Sequence, residues 1–117
     1  MDLRECYKKM QGDYEDVLER LPSEASVAKF LRKFLLDENY QKLQEAISQN
    51  DVATVFATTH NLKGMCANLS ITALAKSSSR LCEAVRGGTV KEPLMPLMEQ
   101  VTSDYEMTVQ AIQGLDA

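Results

Sequence analysis

An all-α fold, an antiparallel four-helix bundle with additional N-terminal helices covering it, is what this sequence predicts, and three observations carry the expectation. Apolar side chains recur three and four residues apart along successive stretches, the spacing that gives a helix one buried stripe. No stretch alternates apolar and polar residues as a half-buried strand does, so a parallel-sheet enzyme fold has nothing to build on. Hydrophobic residues make up 44% of the 117, aromatics only 6%, and Trp is absent, so the core must be mostly aliphatic. An aliphatic core suits helices packed on helices, and a chain of this length is expected to form one domain.

Residues 1–38 read as the helical cover. Leu3, Tyr7 and Met10 share one side of a short first helix, and Gly12 ends or interrupts it. From Asp13, a second amphipathic stretch carries Tyr14, Val17, Leu18 and Leu21, and Pro22 closes it. Ser23 is placed to cap a third helix, whose apolar face is Val27, Phe30, Leu31, Phe34 and Leu35.

Residues 39–115 read as the bundle, with helices at about 39–49, 51–69, 71–86 and 93–114. Asn39 caps the first, which turns Tyr40, Leu43 and Ile47 inward; Asp51 caps the second. So short a connection implies that these two lie antiparallel. The second helix buries Val52, Val55, Leu62, Met65, Cys66 and Leu69. A Ser70-Ile71-Thr72 turn opens the third, whose face of Leu74, Ser78, Leu81 and Val85 contains small residues and permits close approach. Ser77-Ser78-Ser79 reads as close packing with a solvated edge. Gly87-Gly88 stops this helix, and Pro93 and Pro96 delay the last, whose seam is Leu97, Met98, Val101, Tyr105, Thr108 and Ile112.

Charge and cysteine usage exclude several function classes. With 17 acidic against 13 basic residues, a net charge of -4 and a pI near 5.0, a nucleic-acid partner is not expected, because phosphate backbones require a basic face. No apolar run approaches the roughly 18 residues of a membrane span, and the N-terminal residues lack a signal-peptide core. Cys6, Cys66 and Cys82 are an odd set without the spacing of a disulfide framework or zinc site, as in a reduced, cytoplasmic protein. His60 and Cys66 do not make a metal site, since six residues of helix turn Cys66 toward the core side.

The single histidine, His60, lies within Thr59-His60-Asn61-Leu62-Lys63-Gly64 and points away from the apolar stripe of its helix. Its neighbours at helical distance are Ala53, Phe56, Ala57, Lys63, Gly64 and Ala67, a low surface with one cation and one aromatic. A mid-helix glycine costs about 1 kcal/mol relative to Ala, so Gly64 argues for the close approach of something large. An ordinary surface histidine is the bland alternative, and Lys63 and Gly64 weigh against it. A solvated imidazole is mostly neutral at neutral pH and is a ready nucleophile without a separate base. Phosphoryl transfer, with its loose transition state, asks chiefly for positioning and charge neutralisation, which a helix surface can supply if a partner brings the rest. An enzyme built on Cys66 or Cys82 has no base visible in the sequence.

The run His60-Asn61-Leu62-Lys63-Gly64, followed by Ala67-Asn68-Leu69, resembles the H-x-L-K-G signature of histidine phosphotransfer (HPt) domains of bacterial two-component phosphorelays. The resemblance spans about 39–115. It implies that His60 accepts a phosphoryl group from the aspartyl-phosphate of a receiver domain and passes it to another receiver, a response regulator. Lys63 is then the phosphate-facing cation and Gly64 the small residue that lets the receiver dock, on a face shared with Phe56, Ala57, Ala67 and Asn68. The Mg²⁺ belongs to the receiver; this chain is expected to need no cofactor or metal of its own, and no Gly-rich ATP-binding loop is visible. The expected carrier is a cytoplasmic monomer without membrane or nucleic-acid partners. Its end at Ala117 fits a free-standing carrier or an excised domain, including the phosphorylated domain of a chemotaxis-type kinase.

Two departures from the family pattern stand out. Ser70 replaces the Gly that many members have after Asn-Leu, which puts the turn geometry in question. Cys82 falls where many place a Gln or Glu to hydrogen-bond the imidazole, leaving Ser78, Ser79 or water to orient the ring. The alternative function is therefore an adaptor that binds a receiver or another signalling protein and never carries phosphate.

Overall fold

Asp2, Asp13, Ser23 and Asp51 each accept a hydrogen bond from the backbone N–H three residues on, and each begins a helix. The computed structural model describes residues 1–116; Ala117, the last residue of the expected domain, lies outside them. The helices are α1 Leu3–Lys9, α2 Tyr14–Arg20, α3 Glu24–Phe34, α4 Asn39–Ser48, α5 Val52–Asn68, α6 Thr72–Ala84 and α7 Leu94–Gln113, with a short 3₁₀ turn at Arg86–Gly88. No strand occurs among the described residues.

Helix α5 packs against α4 on one side and α6 on the other, and α6 packs against α7. An aromatic pair closes the circuit from α7 to α4: the Tyr40 and Tyr105 rings stack with centroids 3.8 Å apart, and the Tyr40 hydroxyl donates to Thr102 at 3.0 Å. Leu43, Val55, Leu62, Cys66, Leu74, Leu81 and Val101 are fully or almost fully buried between these helices. Each large aliphatic side chain of this kind contributes about 1.5–3 kcal/mol on leaving water. Helix α1 lies against α7, and α2 links it to α3.

Several elements differ from the sequence-based expectation. Asn39 is the first residue of α4, not its cap; Asp37 accepts both the Asn39 backbone N–H and its side-chain amide, each at 2.9 Å. Phe30 is 41% exposed with the Lys33 ammonium over its ring, so the buried face of α3 narrows to Val27, Leu31 and Phe34. On α5, Val52 and Met65 are only half-buried, while Thr58 and Thr59 enter the core. Their hydroxyls donate to carbonyls one turn back, Thr58 to Thr54 at 2.7 Å and Thr59 to Val55 at 2.6 Å. With the polar atom satisfied inside its own helix, a threonine can bury its methyl as a small apolar residue would. Along α7, Tyr105 is half-buried and Asp104 is buried, accepting a hydrogen bond from Gln100.

The cover is fastened to the C-terminal end of α5, where a helix leaves its last carbonyls without intrahelical partners. The buried Tyr7 hydroxyl donates to the Leu69 carbonyl at 2.7 Å, and Arg20 donates to that of Ala67. Asp13 N–H donates to the Ser70 carbonyl at 2.8 Å, and the Ser70 hydroxyl donates to Asp16 at 2.6 Å. Ser70 has φ of 54°, the left-handed region, which costs a non-glycine residue about 1–2 kcal/mol. Contacts with α2 hold it there, which resolves the turn geometry that the missing glycine put in question. Gly12 makes the junction possible: a Cβ at that position would meet the Ser70 carbonyl oxygen at 2.7 Å.

Candidate functional site

Helix α5 presents a strip of mostly small residues around His60 on its outer face. At roughly 100° per residue, Ala53, Phe56, Ala57, His60, Lys63, Gly64 and Ala67 all fall within about 60° of the His60 direction. Ala53, Ala57, His60, Gly64 and Ala67 are exposed, and Phe56 and Lys63 are half-buried. A Cβ added at Gly64 would meet nothing within 4 Å, so packing within this chain does not explain that glycine. Asn68 stands apart from the strip, roughly 12 Å along the axis and 80° around it from His60. There it lines a hollow of about 780 Å³ with Leu21, Phe30, Phe34 and Met65, in which His60 takes no part. The imidazole is thus exposed on the helix surface, outside that hollow.

Phe56 is the ring's nearest aromatic neighbour, with centroids 5.9 Å apart and planes inclined by 23°. No described side chain hydrogen-bonds either imidazole nitrogen. Cys82, at the position where many family members carry Gln or Glu, is fully buried with Sγ directed at the Phe56 carbonyl, 4.0 Å away, and of the two serines left to orient the ring, half-buried Ser79 makes no hydrogen bond to it. Ser78 is fully buried as well, its hydroxyl without a partner. The ring is therefore flanked by the Phe56 ring of its own helix, with no hydrogen-bond acceptor offered from α6. Cys82 and Ser78 serve the α5–α6 contact, where small side chains let the two helices approach closely.

Two residues that sequence reasoning did not single out complete the surroundings. Arg86, in the 3₁₀ turn after α6, places its guanidinium carbon 5.3 Å from the Phe56 ring centroid, on the aromatic that neighbours His60. Glu83, one turn earlier, receives the Arg86 Nε–H at 3.0 Å and an Nη2–H at 2.7 Å. That guanidinium, with the charges of Lys63 and Lys91 adding, holds the Glu83 carboxyl below the usual carboxylate range. An i, i+3 Glu-Arg spacing was visible in the sequence; its placement beside Phe56 depends on how α6 ends.

The thiols are buried outside this face. Burial pushes the Cys6 thiol up to about 11 and that of Cys66 higher still, which removes the thiolate needed for nucleophilic or metal chemistry at neutral pH. No group of three or more His, Cys, Asp and Glu side chains converges among the described residues. Likewise, no described helix is long and apolar enough to cross a membrane.

A family model described as Hpt domain matches residues 29–114, well over half the chain. The match begins inside α3, ten residues before the stretch in which the resemblance was read, and takes in all of α4 to α7. No curated protein and no solved structure matches the chain.

Proposed function

The chain belongs to the Hpt domain family, whose members are phosphotransfer carriers that meet receiver domains of two-component systems, and from that premise we propose that His60 is its phospho-acceptor. In this reading a receiver's aspartyl-phosphate docks on the α5 strip and the neutral imidazole attacks phosphorus in line with the leaving carboxylate. A second receiver then takes the group by the reverse geometry. The observation that carries the proposal is the exposed imidazole on a low strip, with an ammonium one turn away and a glycine that its own fold leaves uncovered.

Each neighbour has a role that follows from charge and size. Lys63 offsets the charge of the phosphoryl oxygens, where most of the stabilisation in a loose transition state is needed. Gly64, Ala57 and Ala67 keep the strip low enough for a receiver loop to reach the imidazole, and Phe56 offers it an apolar contact. Asn68 lies at the edge of such a footprint. The Mg²⁺ and the aspartate come with the receiver, so the chain requires neither an ATP site nor a metal. The carrier works as a cytoplasmic monomer.

Incubation with phosphorylated receiver domains is expected to give an acid-labile, base-stable label that His60→Gln abolishes. Label retained by that variant places the acceptor elsewhere. One observation favours a second reading, an adaptor that docks a receiver without being phosphorylated: no described side chain hydrogen-bonds the imidazole, and Cys82 is turned into the core. That reading predicts equal receiver binding by His60→Ala and no label on the native chain.

A further inference from the structure

Linked to the imidazole through Phe56 is a Glu83–Arg86 pair that phosphoryl transfer itself does not require. Both Glu83 oxygens accept from Arg86 Nε at 3.0 Å, and one also accepts from Nη2 at 2.7 Å. The guanidinium lies over Phe56, whose other neighbour is the His60 ring. Lys63 and Lys91 act on the same carboxylate, and the Lys91 ammonium also reaches the Glu83 carbonyl at 3.4 Å. A guanidinium that could serve a phosphoryl group is thus held by one carboxylate, against the aromatic ring that neighbours the imidazole.

We propose that Glu83 is a placeholder anion, an inference that rests on His60 being the phospho-acceptor. While His60 is bare, Glu83 holds Arg86 across Phe56 and offsets the charge of Lys63. When His60 carries a phosphoryl group, Arg86 turns from the carboxylate to the phosphoryl oxygens and Glu83 remains with Lys91. The exchange runs this way because a phosphoryl group presents up to two negative charges and three acceptor oxygens to a guanidinium, against one charge and two oxygens on Glu83. Little opposes it, since the Arg86 and Glu83 side chains are 47% and 55% exposed and form an i, i+3 pair, a weak arrangement in water.

Hydrolysis of the phosphohistidine reports the exchange. Water attacks phosphorus, the P–N bond breaks with its electron pair passing to the imidazole, the ring takes up a proton, and inorganic phosphate leaves. A guanidinium hydrogen-bonded to the phosphoryl oxygens stabilises the bound group before reaction and covers the side from which water must approach, and so prolongs the phosphohistidine. Glu83 competes for the guanidinium and shortens it, so this positioning residue sets how long the group is held between partners.

The test uses the full chain labelled with phosphoramidate, a small donor that needs no receiver, with the phosphohistidine half-life followed by ³¹P NMR. Glu83→Gln is expected to lengthen the half-life roughly threefold, the scale of an exposed ion pair, and Arg86→Gln to shorten it by a similar factor. The double variant Glu83→Gln/Arg86→Gln is expected to decay as Arg86→Gln alone does, because Glu83 acts only through Arg86. In the wild-type chain the Arg86 Nε–H resonance is expected to move on phosphorylation, a signal that a merely structural pair would not give. Equal half-lives for wild type and Glu83→Gln, or an unmoved Arg86 resonance, overturn the placeholder and leave the carrier role intact. If phosphoramidate labels no histidine, the carrier reading falls and this inference with it.

Discussion

Replacing Gly64 separates the two reasons a helix can contain a glycine. If the residue served packing within this chain, even one added methyl would destabilise the fold. The position instead has nothing within 4 Å of an added Cβ and lies in the interior of α5, where glycine costs about 0.5–1 kcal/mol relative to Ala. Gly64→Ala is therefore expected to raise the melting temperature by about 2–4 °C, at roughly 4 °C per kcal/mol for a domain of this size. A bulky residue at the same place tests docking. Gly64→Gln should fold as well as wild type, yet it puts extra atoms between the strip and a receiver. Overpacking a contact costs about 1–3 kcal/mol, which is roughly a five- to 150-fold loss of affinity. The assay is paired: thermal melting for the fold, and phosphoryl transfer from a phosphorylated receiver for the face, with phosphoramidate labelling as the partner-independent control. Receiver-dependent transfer should fall by that range while phosphoramidate labelling holds. A lower melting temperature for Gly64→Ala, or undiminished transfer by Gly64→Gln, refutes the argument.

Two further outcomes follow from the rest of the fold. Tyr7→Phe removes the donor that satisfies the Leu69 carbonyl at 2.7 Å and leaves that acceptor under the cover, so urea denaturation should show a loss of about 1–3 kcal/mol. No change would mean that the cover does not fasten the end of α5. Asp51 is held below the usual carboxylate range by hydrogen bonds from the Thr54 hydroxyl and backbone N–H. A depressed folded-state pKa stabilises the fold above the unfolded value, and the benefit disappears as pH falls through the folded value. Melting temperatures of wild type and Asp51→Asn should thus differ most at neutral pH and converge in acid; parallel curves would show that the cap carries no charge dependence.

The local pattern carried most of the bundle. Helix periodicity depends only on residue spacing, so Leu43, Val55, Leu62, Leu74, Leu81 and Val101 could be assigned to the core before any packing was known. The same arithmetic put His60 opposite the buried stripe, since a helix fixes the direction of every side chain relative to its neighbours. Periodicity misjudged residues whose burial depends on what lies across from them. Phe30 reads as core from its spacing, but no helix lies over it. Thr58, Thr59 and Asp104 read as polar, but internal hydrogen bonds allow them to be buried.

What one chain segment implies about itself could thus be read from its residues: where helices begin, which stripe is apolar, and that a histidine, a lysine and a glycine share one exposed strip. What depends on two segments meeting was decided by the tertiary structure. Whether Cys82 faces the imidazole or the core is set by the rotation of α6 against α5, and a helix can rotate without any change in its own periodicity. The fastening of Tyr7, Asp13 and Arg20 to the end of α5, and the placement of Arg86 against Phe56, likewise join residues far apart in the chain. Hydrogen bonds and ion pairs of that range follow from the packing of whole helices, and spacing along a sequence does not contain them.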